Sequence, residues 1–273
     1  MTTRDTPVMS RTGSTDGHFD WLSVAALLGG LLLLYYVVPI LSLVLNQSPA
    51  ALIASMTDPT VISAAGTSLV TSLISASLAA VFGLPLAYWM ARSGSRAVTP
   101  VTALVVLPLV LPPVVSGLIL LTVVGPGTLV DSIAQTVGVS LTGSLAGVVL
   151  AQTFVASPFV VITATAAFRG VDDRLEQVSR TLGTDRLSTM RRITLPLAWP
   201  GILAGITLAF ARAMGEFGAT IMLAFYPRTM PVEIWVSFSS LGLSSAFPLA
   251  VILVGVAVAT LLVLNVLGSS LLQ

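Results

Sequence analysis

The sequence predicts an all-α integral membrane protein with six transmembrane helices, cytoplasmic N- and C-termini, and one long cytoplasmic loop between helices 4 and 5. Three observations predict it. Of the 273 residues, 55% are hydrophobic and only 8% charged, with mean hydropathy +1.00, whereas a soluble domain carries about 25% charged residues. Six apolar stretches, at roughly 21–45, 61–91, 98–124, 143–168, 200–225 and 246–268, each reach the ~20 residues needed to cross a hydrocarbon core. The basic residues then sort to one side. With the N-terminus placed inside, Arg4, Arg11, Arg92, Arg96, Arg169, Arg174, Arg180, Arg186, Arg191 and Arg192 all lie in the cytoplasm. Arg228 alone lies outside, and Arg212 lies within a span. Such a bias sets orientation.

The same composition excludes several functions. Every basic residue is arginine, so there is no Walker A lysine for nucleotide phosphates and no Schiff-base lysine. If ATP drives this protein, another chain must hydrolyse it. There is no cysteine, hence no disulfide and no thiolate metal site. The one histidine, His18, sits in a polar tail, and a metal site needs several convergent donors. A net charge of +1 does not point to nucleic acid. No nucleophile–base pair and no metal cluster is visible, so no catalytic, metal or cofactor site is expected in this chain.

The elements follow in order. Residues 1–20 are a polar cytoplasmic tail. The 21–45 stretch is too long for a signal-peptide core and is followed by no A-x-A-like cleavage site, so it reads as a retained helix. The second span ends in "GLPLAYWMARSGSR" (83–96). The third holds "LPLVLPPVVSG" (107–117), in which Pro108, Pro112 and Pro113 each remove a backbone donor. A helix broken at membrane depth is tolerated where it is packed in protein or lines a cavity; both a kink satisfied by neighbouring helices and a cavity wall fit the string. Pro158 marks a kink in span four. Span five contains "ARAMGEFGATIML" (211–223). A charge at the bilayer centre costs about 2.5–3.5 kcal/mol on insertion scales, and the i, i+4 spacing of Arg212 and Glu216 sets them on one helix face. The pair either fixes helix orientation internally or biases a path toward anions. Gly215 and Gly218 allow close helix approach. Span six ends in a short cytoplasmic tail, 269–273. Outside, Tyr226 and Trp235 suit interfacial anchors.

The loop at about 169–199 is the one sizeable polar surface. Asp172 and Asp173 suit a helix start. Leu175, Val178 and Leu182 mark an apolar face, with Glu176, Arg180 and Thr181 pointing elsewhere. Gly183 suits a C-cap or sharp bend, Thr184 or Asp185 can cap a second short helix, and Pro196 should end the segment. Periodicity alone permits an interfacial helix pair with arginines on lipid headgroups, or a dock for a cytoplasmic partner.

The spacing from Gly183 across nine residues to Ile193-Thr194-Leu195-Pro196 resembles the signature loop of binding-protein-dependent ABC importer permeases, E-A-A, three residues, G, nine residues, I-x-L-P. The first half departs from that pattern, with Gln177-Val178-Ser179 in place of E-A-A and a glutamate one place earlier, Glu176. The 107–117 and 211–223 strings resemble the molybdate/tungstate permease subfamily, and the likeness runs from about Ser68 to Gly268. This resemblance implies the membrane subunit of an oxyanion importer working by alternating access as a homodimer in the cell membrane. Separate ATPase subunits, which bind the ATP and Mg²⁺, would dock on the loop through Glu176, Gln177, Arg180, Gly183, Ile193, Leu195 and Pro196. An extracytoplasmic binding protein would deliver the anion. The path would run past Pro108, Pro112, Pro113, Arg212, Gly215, Glu216 and Gly218. A sulfate or thiosulfate permease is the neighbouring alternative, and an ATP-independent channel or secondary transporter the more distant one.

Overall fold

The computed structural model describes residues 21–270, with side chains to residue 263. The N-terminal tail with Arg4, Arg11 and His18, and residues 271–273 of the predicted C-terminal tail, lie outside the described residues. The chain divides into two units, Met1–Asn46 and Gln47–Gln273. The first contributes a single 25-residue helix, α1 (Trp21–Leu45). The second holds α2 (Pro49–Thr57), α3 (Pro59–Arg92), α4 (Val98–Val110), α5 (Pro113–Val124), α6 (Leu129–Thr136) and α7 (Leu145–Arg169). It continues with α8 (Asp173–Thr181), α9 (Arg186–Thr189), a π turn (Met190–Thr194), α10 (Leu195–Met214), α11 (Gly218–Leu223), α12 (Met230–Leu241) and α13 (Leu243–Ser270). No strand occurs among the described residues.

Five helical stretches are long and apolar enough to cross a membrane: α1, α3, α7, the continuous run Arg186–Met214, and α13. The sixth predicted span is α4 plus α5, which are bent by 118° at the break between them, the geometry of a broken span or a re-entrant loop. The cause is local. Leu111 and Pro112 each precede a proline and are extended, with ψ of 138° and 135°, because a following proline ring crowds the helical conformation. The two halves pack at different places in the bundle. Val98, Val101 and Val105 of α4 pack around Ala164 and Phe168 of α7. Leu120, Leu121 and Val124 of α5 pack with Ala151 and Val155, about 20 Å back along the same helix. The two halves therefore pack at different levels of α7, and counted as one span they bring the number of candidate spans to six.

The core is the packing of α3, α7 and α10, built from small residues. In lipid no hydrophobic force drives helices together, so close packing and interhelical hydrogen bonds must. Ala79 of α3 meets Ala156 and Val160 of α7 and Ala209 and Ala213 of α10. A Cβ on Gly205 would fall 1.9 Å from Thr163 Oγ1. Ser75 of α3 donates to the Val149 carbonyl of α7 at 3.2 Å and lies at the same distance from Gln152 Oε1.

Two elements differ from the sequence expectation. Span five is not one helix over 200–225: α10 stops at Met214, residues 215–217 are non-helical, and α11 begins at Gly218. Pro196 does not end the loop. It sits in the first turn of α10, and the helix runs unbroken into it from Arg186. Pro196 has no N–H to give Arg192, and its ring would crowd that carbonyl. The π turn widens the helix there, with Leu195 N–H bonded to the Met190 carbonyl, and so accommodates the ring.

Candidate functional site

The loop is built around a helix whose polar side faces inward. Asp172 caps α8, accepting from Arg174 N–H at 2.9 Å. Leu175, Val178 and Leu182 are 46%, 57% and 81% exposed, while Glu176 and Ser179 are buried. Arg92, the last residue of α3, lies behind this polar side. It donates to Glu176 Oε1 from Nη2 at 2.7 Å and from Nε at 3.0 Å, to the Val171 carbonyl at 3.1 Å, and pairs with Asp173 at 2.6 Å. The same Glu176 oxygen accepts from Thr194 Oγ1 of the π turn at 2.8 Å. Ser179 is held by the hydroxyls of Thr184 and Thr189.

Gly183 ends α8 with φ +89°, a left-handed turn that costs glycine little. Asp185 then caps α9 through Leu187 and Ser188 N–H. Hydrogen bonds from Ser188 hold its carboxyl below the usual aspartate range. Gln177, Arg180, Thr181 and Leu187 are exposed. A cleft of about 500 Å³ between the end of α3 and the loop is lined by Tyr88, Arg92, Glu176, Gln177, Arg180 and Arg186. Ile193 and Leu195 are half-buried and Pro196 exposed.

The second region is where the two broken spans meet. A Cβ on Gly218 would sit 2.7 Å from Pro113 Cβ and 3.0 Å from Val114 N, and one on Gly117 would sit 2.7 Å from Met222 Cβ. The backbones of α5 and α11 thus touch, bringing Pro113 and Gly218 together. Gly215 takes no part: it is exposed, and a Cβ there would be 3.7 Å from the nearest atom, the Ala211 carbonyl. The expected close approach belongs to Gly117 and Gly218 instead. Pro108 is half-buried, and Pro112 and Pro113 are exposed within this chain.

Arg212 and Glu216 form an ion pair at 2.5 Å, with Glu216 1% exposed. They do not share a helix face, because Glu216 lies past the end of α10. Its other oxygen accepts from Ala219 N–H at 2.7 Å, so it also caps α11. The hydroxyls of Ser116 on α5 and Thr220 on α11 are buried with no hydrogen-bond partner. Buried groups of that kind are few in folded proteins. Among the described residues no group of His, Asp or Glu is arranged to hold a metal.

Arg92, Thr194 and Gly117 are the residues that the sequence reading missed as site residues. Arg92 lies 84 positions from Glu176, and only the fold pairs them. A multi-spanning helical chain with two interrupted helices, one of them at a double proline, and a loop helix that exposes apolar residues is the architecture of a transport permease. Residues 83–272 match the family of binding-protein-dependent transport system inner membrane components, and the chain belongs to that family.

Its relatives are more particular. The probable molybdenum ABC transporter permease of Haloferax volcanii is 56% identical over 92% of this chain and 91% of its own. The molybdate/tungstate transport system permease of Pyrococcus abyssi is 35% identical over 89% and 94%. The molybdenum transport system permease of Escherichia coli is 40% identical over 70% and 88%. Among solved structures, a chain of a bacterial alginate ABC transporter, in complex with its pentasaccharide-bound periplasmic protein, superposes with a TM-score of 0.72. It is 19% identical, over 93% of this chain and 96% of that one, a likeness of fold.

Two outcomes follow from this geometry. Gly218→Ala should destabilise the detergent-solubilised protein by about 1–3 kcal/mol through overpacking, lowering its thermal midpoint, while Gly215→Ala should leave the midpoint unchanged. Arg212→Ala should impair transport more than the double change with Glu216→Ala, because the single change strands a buried carboxylate. A double variant that transports less than the single one would count against pairing.

Proposed function

We propose that this chain is the membrane-spanning permease subunit of an ATP-driven importer of an oxyanion, molybdate and/or tungstate. It works by alternating access as a homodimer coupled to separate ATPase subunits, and does no covalent chemistry itself. The observation that carries this reading is the outward apolar side of α8. A helix end facing water does not keep Leu175, Val178 and Leu182 exposed together without an occupant, since contiguous exposed apolar surface marks an interaction site. The occupant is the ATPase, for three reasons: the chain has no lysine with which to build its own nucleotide site, it belongs to a family of transport components, and its curated relatives are ABC permeases.

In this reading the arginine-rich end is cytoplasmic, residues 21–268 form the permease domain, and the loop at about 169–199 is its coupling surface. Gln177, Arg180, Gly183, Ile193, Leu195 and Pro196 shape that surface, and Glu176 braces it from behind. ATP binding closes the ATPase pair and draws the two loops together. The broken spans then part at Pro112–Pro113 and at residues 215–217, where the backbone is already non-helical. Arg212 biases the path toward anions, and Glu216 keeps that attraction weak enough for release. The partner-free hydroxyls of Ser116 and Thr220 supply neutral donors beside it. An extracytoplasmic binding protein delivers the anion to the opposite face.

Uptake into proteoliposomes tests the whole reading. Molybdate or tungstate should accumulate only when the ATPase, ATP and the binding protein are all present. Anion flux through this chain alone, indifferent to ATP, would sink it. Val178→Asp, on the exposed face, should leave membrane insertion and helicity intact and abolish ATPase co-purification. Calorimetry on the binding protein settles the anion: tight sulfate binding with no molybdate response would shift the assignment to sulfate or thiosulfate.

A further inference from the structure

We infer that Arg92 is a positioning residue that transmits motion of α8 into the transmembrane helices. The inference rests on the reading of α8 as the ATPase dock. Three elements converge on Glu176: the end of α3 through Arg92, α8 through Glu176 itself, and the start of the Arg186–Met214 helix through Thr194. One carboxylate oxygen receives all three donor contacts. The guanidinium reaches further, to the Val171 carbonyl and to Asp173. Its planar fork can satisfy several acceptors in fixed directions, which an ammonium cannot.

Burial separates the parts of this clasp that matter. The Asp173 side chain is 68% exposed and that of Glu176 only 9%. An exposed pair contributes little and is screened by salt. Glu176 is enclosed, so separating it from Arg92 would leave a carboxylate without its countercharge. The low-cost motion is therefore one in which α8, the end of α3 and the start of α10 move as a block. Both transmembrane helices belong to the central packing with α7. A displacement applied to the exposed side of α8 thus reaches the bundle at two points, and Arg92 is the link to α3. A loop tethered only through its covalent ends, with Gly170 before α8 and Gly183 after it, would instead absorb that displacement in its own bends.

The experiment measures anion imported per ATP hydrolysed by the complete transporter in proteoliposomes. With Arg92→Gln, the ATPase should still co-purify and hydrolysis should stay within about twofold, while import per ATP falls about tenfold or more. Arg92→Lys should recover part of that ratio, because it keeps the charge on Glu176 but loses the fork. A role confined to folding would lower import and hydrolysis together and leave their ratio unmoved. An unchanged ratio in Arg92→Gln, or loss of ATPase binding in that variant, would overturn the inference. If Arg92→Gln does not assemble, Glu176→Gln removes the charge that Arg92 holds while keeping an acceptor, and a wild-type ratio there would overturn it equally. A native complex in which no ATPase binds would refute the docking reading itself. Intact coupling in Arg92→Gln would refute this inference alone.

Discussion

A backbone N–H or carbonyl left unpaired in hydrocarbon costs several kcal/mol, and that constraint decides where a membrane helix can be interrupted. This chain interrupts two, at Leu111–Pro112 and at residues 215–217. The interruptions are packed against one another: α5 begins at Pro113, α11 begins at Gly218, and a Cβ on Gly218 would fall 2.7 Å from that proline's own Cβ. Backbone-to-backbone contact at the start of two half-helices keeps irregular segments within protein. Glu216 completes the arrangement by pairing with Arg212 and capping α11, so that one carboxylate answers both a half-buried cation and an open helix end.

The same economy of polar groups governs the loop. An amphipathic helix in a soluble protein turns its apolar side inward, and α8 does the opposite. The reversal holds because Glu176 and Ser179 find better partners on the protein than in water: a guanidinium and a threonine for the first, two hydroxyls for the second. What faces outward then includes Leu175 and Val178 beside the polar Arg174, Gln177 and Arg180. Strong inward anchoring and an uncovered apolar side are one fact seen from two directions, and together they make α8 a surface able to receive a partner without detaching from its own chain.

Local chemistry was legible in the sequence. Gly183 takes the positive φ that its place after an amphipathic run called for, Asp172 and Asp185 cap the helices they precede, and α4 ends at the double proline, whose rings disfavour a helical residue before them. Contacts across the fold were not legible. Nothing in "WMARSGSR" marks Arg92 as the partner of a glutamate more than eighty residues away, and an i, i+4 spacing placed Arg212 and Glu216 on a helix that ends between them. Pro196 looked like a stop because proline usually is one; a π turn lets the helix pass.

By itself, then, the sequence determined the membrane class, the apolar stretches from which the spans are drawn, the break at the double proline, and the chain's inability to hydrolyse nucleotide through a Walker A lysine. Each depends on residue type and short-range sterics. Only the tertiary structure decided which side of α8 faces out, which glycines meet a neighbour, and how Arg92, Glu176 and Thr194 join. Those outcomes depend on which groups from distant parts of the chain can satisfy one another once the helices have packed.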